Sequence, residues 1–593
     1  MSFILGGLTP EVGVRQHSDG ALVARLWQHL RDHRWKLALV VLALFVNTLS
    51  VALVPFVLGR AIDTTSGGLG LWWIVAALNA AALLTWVTQY AHQHLTSAAV
   101  ADVTLSAQRD ALRSALRQDH AFYDRVSSGG VVSRITTDTS TLSGIVNLSA
   151  DTLNQLLLVI LLSGVLIFVS PPLALTLSAI VPIVILVALG FRRLARGAAA
   201  QAQESVGALN ASIAETMRGI AVAKNYHQEA FLLEQFRVQN RKAYTISLAN
   251  NRIFGGIFPT LDIVTGLGTA LVLYVGGRMV LEGNLTTGSW FLGIQAVTLL
   301  LFPLTGIASF WSQFQQGLAA TERVNALTDA RPEVTETGTD AMNTADTSLR
   351  FHGVHLRYGD GQDVLNDLNL EIPAGQRVAL LGRTGSGKTS LLRILMRFYE
   401  YQSGTVSVGG RDLRAIEPEE RSRLFGLVTQ VPMLFDATVA ENIRFARPDA
   451  DDAAVLTAAN AIGASWLEEL GQGLETPVGE RGVLLSQGQR QLVSLARVML
   501  HDPRIILLDE ATANIDSFTE WQVQQGLDAL MRGRTTIIVA HRLTTVAGAD
   551  RVILLEGGRV VADGTHRSLS STHPGYASLY ASYFAPDARG DRA

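Results

Sequence analysis

The sequence predicts a membrane protein in two parts: a six-helix α-helical transmembrane domain followed by a soluble α/β domain. Three observations carry that prediction. The first half contains long stretches almost free of charge. A polar, aperiodic stretch then changes the composition. After it, short β-rich runs alternate with helical patterns. The totals agree. Of 593 residues, 48% are hydrophobic and only 17% charged, so lipid as well as a core must cover apolar surface.

The uncharged spans lie near 37–58, 69–91, 149–170, 173–191, 253–277 and 286–310. Each has roughly 19–25 residues, enough to cross a ~30 Å hydrocarbon layer as a helix. Lys and Arg in the N-terminal segment and in 92–143 and 192–252 number nineteen, whereas the opposite loops hold two, Arg60 and Arg278. That asymmetry predicts a multi-pass protein of the cytoplasmic membrane with both termini in the cytoplasm. The connections 92–143 and 192–252 then protrude on the cytoplasmic side, and their Ala/Gln/Leu/Arg-rich composition suits long helices. Residues 21–36 read as an interfacial helix at the end of the segment 1–36. Arg25, Arg31, Arg34 and Lys36 run into a long apolar span with no small-residue cleavage pattern, so this end does not read as a removable signal. The transmembrane domain is expected over 37–328.

Inside the spans the sequence says little about what passes through. Asp262, in the fifth span, is costly there and could bind a cationic group or a proton, or merely pack helices. Gln295, with Asn79, Gln89, Asn154 and Gln155, could line a cavity or hydrogen-bond between helices. Pro303 is placed to kink the sixth span.

Residues 329–346, DARPEVTETGTDAMNTAD, read as a linker. The soluble domain follows over 347–585, with a short tail at 586–593. LRFHGVHLRY, RVALLG, RIILLD, TTIIVA and RVILLE read as strands, the most apolar of them buried on both faces. There is no cysteine, which excludes disulfides, thiol catalysis and cysteine metal sites. A net charge of −3 argues against a nucleic-acid partner.

Between a strand and a helix stands Gly382-Arg383-Thr384-Gly385-Ser386-Gly387-Lys388-Thr389, followed by Ser390. This is the P-loop spacing in its required context and makes the domain an α/β P-loop NTPase. Its glycines allow backbone angles that turn N–H groups toward phosphates. Lys388 is suited to neutralise the β- and γ-phosphates, and the Thr389 hydroxyl to hold Mg²⁺. The expected ligands are therefore ATP and Mg²⁺. The apolar run Ile505–Leu508 delivers Asp509 and Glu510 to a strand end, where such sheets bind ligands. Asp509 suits the Mg²⁺ shell, and Glu510 suits the attacking water. Tyr358, read as preceding the first part of the sheet, could stack on adenine. Gln430 could reach Mg²⁺ and water, and His541, at another strand end, could bond the γ-phosphate. Taken singly each has an ordinary structural reading; the order and spacing together favour the functional one.

One more stretch, Leu485-Ser486-Gln487-Gly488-Gln489, is a loop-like run opening into a helical pattern and offers a second set of free N–H groups for an anion. With it, the second half resembles the nucleotide-binding domain of ATP-binding cassette (ABC) transporters. Tyr358 resembles the A-loop, 382–389 Walker A, Gln430 the Q-loop, 485–489 the signature, 505–510 Walker B, 513–516 the D-loop and His541 the H-loop. The six spans with two long cytoplasmic connections resemble the exporter-type, or type IV, half-transporter.

The resemblance implies a transport ATPase that exports a hydrophobic or amphipathic drug, lipid or peptide by alternating access. Two alternatives stay open: an importer built on the exporter fold, as in siderophore systems, and an ATP-gated channel or regulatory subunit. It also implies pairing with a second half-transporter, so that Ser486, Gln487, Gly488 and Gln489 touch ATP held by the partner's Walker residues. Gly479-Glu480-Arg481-Gly482 is similar to the family's cross-talk loop, and 119–130 and 224–236 to its coupling helices. In that fold, the second coupling helix docks on the partner's nucleotide-binding domain. Two departures stand out. Gln487 replaces a glycine of the usual signature, and Ala513-Asn514-Ile515-Asp516 replaces Ser-Ala-Leu-Asp. Intact Glu510 and His541 beside an altered signature resemble one subunit of a heterodimeric exporter; a homodimer is the alternative.

Overall fold

The computed structural model describes residues 19–31, 34–64, 70–341, 346–359, 361–463, 465–509, 517–540 and 543–584. The chain forms two compact units. One comprises residues 1–117 and 126–330, the other 118–125 and 331–593.

The first unit is helical. Helix Asp19–Arg31 buries Leu22, and the next described helix opens at Arg34. Six long helices follow: Arg34–Thr64, Gly70–Leu116, Thr139–Val169, Pro171–Arg218, Glu229–Leu281 and Thr287–Thr328. Among the described residues, five helical stretches are long and apolar enough to cross a membrane, and Thr287–Leu300 is a shorter apolar one. Several helices far outrun the predicted spans. Glu229–Leu281 has 53 residues, about 80 Å at ~1.5 Å per residue, so more than half of it extends beyond a ~30 Å layer. The last helix continues through the buried Pro303. Trp35, Trp72 and Trp73 are exposed at helix starts, where amphipathic rings sit at membrane–water boundaries.

Polar side chains in this unit are mostly spent on packing. Asn47 donates to Thr88 at 3.2 Å, and Thr48 donates to Asn154 at 2.6 Å. Asn79 donates to the Val75 carbonyl of its own helix, so neither it nor Asn154 is held ready for a cavity. Gln155 Oε1 is buried without a partner, and a Cβ on Gly306 would come within 2.2 Å of it. Asp262 is exposed and Gln295 half-buried. At the far end of the first span, the Asp63 carboxylate accepts from the Gly288 N–H at 2.7 Å and from the Thr286 hydroxyl at 2.8 Å. A π-helical turn at Arg134–Asp138 presents Asp138 to Arg323 in a bidentate pair of 2.6 and 3.0 Å.

Among the described residues, the second unit contains ten strands: β1 Leu349–Arg357, β2 Asp363–Ile372, β3 Arg377–Leu381, β4 Ser403–Val408, β5 Arg411–Asp412, β6 Phe425–Val428, β7 Ile505–Asp509, β8 Thr535–Val539, β9 Arg551–Glu556 and β10 Arg559–Gly564. β2-β1-β4-β5 form an antiparallel sheet, and β10-β9-β3-β8-β7-β6 a six-stranded one. In the latter, β9, β3, β8, β7 and β6 run parallel, and the middle strands are buried on both faces, as their unbroken apolar runs require.

Two of its hydrophobic clusters bear on the motifs. One joins both sheets to the helix Lys388–Leu395. The other gathers the helices around Trp466 with helix Gln487–His501. The polar stretch after Thr328 is tied down rather than free. Glu336 takes Arg421 in a bidentate pair of 2.5 and 2.9 Å, and Asp340 bridges Ile416. Residues 118–125 also belong here. Asp119 accepts the Val334 N–H at 3.1 Å, Arg125 pairs with Glu333 at 2.9 Å, and Ala121 enters the sheet cluster.

Candidate functional site

Parallel strands end along one edge, and four neighbours in that edge carry the motifs. Gly382 follows β3, Asp509 ends β7, and Gln430 comes two residues after β6. β8 lies between β3 and β7. Strand order rather than sequence order brings together positions more than a hundred residues apart, at the edge where α/β sheets bind ligands. Glu510 and His541 follow β7 and β8 in sequence; both, like the D-loop residues 513–516, lie outside the described residues.

The phosphate loop depends on glycine in the strict sense. Gly382, Gly385 and Gly387 have φ of +151°, +84° and +99°. A Cβ on Gly387 would lie 2.7 Å from Leu365 and 2.9 Å from the Val364 carbonyl, and one on Gly382 2.2 Å from the Leu555 carbonyl. Lys388 opens the helix and donates to the carbonyls of Gly382 at 2.6 Å and Arg383 at 3.0 Å. Ser386 Oγ is buried in the loop without a partner, an acceptor and donor that a phosphate oxygen would satisfy. The Thr389 hydroxyl stands 3.4 Å from Asp509 Oδ1. Among the described residues no three His, Cys, Asp or Glu gather as a metal cage. That fits magnesium, which takes one or two protein oxygens and fills its shell with phosphate oxygens and water.

Tyr358 follows β1 instead of preceding the sheet, because the alternating burial of Leu349–Arg357 already makes that run a strand. Its hydroxyl donates to Ser390 at 2.9 Å, and its ring meets Tyr399 edge-on at 4.7 Å. Gln430 is exposed. The apolar residues after it, Val431, Met433 and Phe435, are exposed too. Arg497 holds that segment from the Gln487–His501 helix, donating to the Met433 and Asn442 carbonyls at 3.0 and 2.8 Å. Burial lowers the Arg497 pKa.

The second anion loop is shorter than the sequence suggested, because Gln487 to Gln489 are already helical. Ser486 is the N-cap. Its hydroxyl accepts the Gln489 N–H at 3.2 Å, and the Gln489 side chain accepts the Ser486 N–H at 2.9 Å, a reciprocal capping box. Arg490 braces the turn by donating to the Leu485 and Gly482 carbonyls. None of residues 485–489 is among those with positive φ, so the backbone at Gln487 does not demand glycine.

Sequence reasoning missed the residues beside Tyr358, namely Tyr399 and Arg393, and Asp124 behind Tyr399. Nothing in their spacing links 124 to 399; only the fold does.

Comparison with known proteins accords with this architecture. Residues 37–304 match the ABC transporter transmembrane region and residues 365–513 the ABC transporter domain. The chain is 32% identical to an ATP-dependent lipid A-core flippase of Desulfotalea psychrophila, over 78% of this chain and 82% of that one. It is 31% identical to the uncharacterized ABC transporter ATP-binding protein YfiC of Bacillus subtilis, over 94% of each. It is 32% identical to a multidrug efflux ATP-binding/permease protein of Mycobacterium bovis, over 96% of this chain and 48% of that one. Its fold superposes on a bacterial Atm1-family ABC exporter with ATP bound at a TM-score of 0.77 and 24% identity, covering 94% of this chain and 99% of that one. The chain thus binds ATP and couples its hydrolysis to export across a cell membrane that it spans several times. Such exporters work with paired membrane and nucleotide-binding domains. The chain belongs to the ABC transporter family, as an exporter-type half-transporter with its membrane domain fused to its ATPase.

Proposed function

We propose that this chain pairs with a second half-transporter to export an amphipathic or lipid-like compound, with each ATP sandwiched between the two chains. The observation that carries the pairing is the separation of the two anion loops into different hydrophobic clusters of one domain. The Gln487–His501 helix presents its capped N-terminus beside the exposed apolar residues Val483 and Leu484, a surface suited to a partner. Walker residues 382–389 and Ser390 hold the phosphates, and Tyr358 stacks on the base. Ser486, Gly488 and Gln489 meet ATP held by the partner. Thr389, Asp509 and Gln430 hold magnesium, which when bound neutralises charge on the leaving phosphates. Glu510 orients and deprotonates the attacking water, and His541 bonds the γ-phosphate.

The two cytoplasmic tips support the same reading. Segment 118–125 is seated in its own chain's nucleotide-binding unit. The tip at 224–236 instead leaves Tyr226, Phe231 and Leu233 exposed. The partner surface that fits them is the apolar patch after the Q-loop, Val431, Met433, Phe435 and Phe445. The asymmetry of Lys and Arg puts these tips and both termini in the cytoplasm. The names of the relatives, flippase and multidrug efflux protein, favour an amphipathic substrate over a small polar one.

The partner we favour is a different half-transporter, because Gln487 places a side chain where the usual signature has none. Full ATPase activity of this chain expressed alone would instead establish a homodimer. For the catalytic assignment, Glu510→Gln should keep ATP binding while turnover of the assembled transporter falls by about 10²-fold or more. Unchanged turnover would remove Glu510 from its role. Transport into inside-out vesicles is expected; loss of preloaded compound from them would make the protein an importer.

A further inference from the structure

Segment 118–125 reaches the nucleotide site through a chain of contacts that the functional reading does not use. The Tyr399 hydroxyl donates to the Asp124 carboxylate and lies 3.3 Å from His120 Nδ1. The His120 ring stacks on Phe398 at 5.2 Å. Tyr399 is only 5% exposed, and its ring carries the Arg393 guanidinium at 5.7 Å on the way to its edge-on contact with Tyr358. Tyr358 in turn is held by Ser390, the residue after Walker A. The ring proposed to stack on the base is therefore bounded at two points. One belongs to the phosphate-loop helix, and the other is set by a segment whose chain continues at both ends into the membrane helices.

We propose that Tyr399 is a positioning residue that makes nucleotide affinity depend on the seating of segment 118–125. If Asp124 withdraws, a buried hydroxyl loses its carboxylate acceptor unless the ring moves. Movement of that ring releases Tyr358. By reciprocity, a purine triphosphate stacked on Tyr358 holds Tyr399, and through it the seated segment. Burial, and then the hydrogen bond to Asp124, hold the Tyr399 hydroxyl well above the ordinary tyrosine range, so it stays a donor at every working pH. The proposal rests on base stacking by Tyr358.

The test is a double-mutant cycle read by calorimetric binding of the non-hydrolysed analogue AMP-PNP to the purified full-length transporter. With Tyr358 present, Asp124→Ala should weaken binding about fivefold. In a Tyr358→Ala background the same change should cost less than about twofold. A loosened fold would weaken both backgrounds alike, and equal losses would overturn the proposal. Tyr399→Phe, which keeps the ring and deletes only the hydroxyl, should reproduce the Asp124→Ala pattern. It carries the cycle alone if Asp124→Ala does not assemble, and a Tyr399→Phe affinity equal to the wild type's would also overturn the proposal. If Tyr358→Ala alone leaves AMP-PNP affinity unchanged, base stacking itself fails, and that result is distinct from the other two.

Discussion

The two anion loops of the nucleotide-binding unit present backbone N–H groups by different means. The loop at 382–389 does so with glycines at φ values that other residues rarely adopt, two of which, Gly382 and Gly387, have no room for a Cβ. The loop at 485–489 does so with an ordinary helix start, capped by Ser486 and Gln489, where each residue has unexceptional angles. The first cannot take a side chain at Gly382 or Gly387; the second carries one at Gln487. The contrast explains how Gln487 can stand in a signature without disturbing its own chain; in the pairing we propose, its consequence falls on the partner's ATP.

The sharpest way to break this contrast is Gly387→Ala. Backbone strain of about 1–3 kcal/mol, added to the collision with Leu365 and Val364, should weaken AMP-PNP binding by about 10²-fold or more. Near-normal affinity by calorimetry would show that the loop is not built on glycine as described. Ser486→Ala should come next, with loss of the cap costing about 1 kcal/mol and lowering the thermal midpoint of this unit by about 3 °C. Ser486→Gly should cost only a few tenths of a kcal/mol, and an equal fall in both variants would argue against capping as the cause. Gln487→Gly should be the mildest, below about 0.5 kcal/mol in stability. Its effect belongs in turnover. In the assembled transporter ATPase activity should rise as the obstructed site opens, and an unchanged rate would favour the homodimer.

The tips at 118–125 and 224–236 extend the comparison beyond one domain. Absence of native cysteine makes it simple to test. Cysteines placed at Tyr226 and Met433 should cross-link between chains, giving a dimer-sized band on electrophoresis. An intrachain cross-link would place the second tip on its own domain.

Much of this protein was legible in its sequence because the relevant signals are local. Uncharged spans report the hydrocarbon layer directly, and the spacing of Gly382 to Thr389 reports a backbone path within eight residues. Strands β3, β7, β8 and β9 were readable because burial on both faces demands continuous apolar runs. β2, β4 and β10 were not, since half-exposed edges mix polar and apolar residues. Tyr358 was found as a residue but misplaced relative to β1. The polar stretch after Thr328 read only as a linker, because the ion pair of Glu336 with Arg421 spans 85 positions.

By itself, then, the sequence determined which segments are apolar enough to span a membrane, where the phosphate-loop spacing falls and that Asp509 stands at a strand end. Those follow from the chemistry of neighbours along the chain. Only the tertiary structure decided that Gln487 sits in a helix start rather than a glycine turn, and that Asp124 answers to Tyr399 and Tyr358. Both depend on packing between residues far apart in sequence, where no local pattern constrains the pairing.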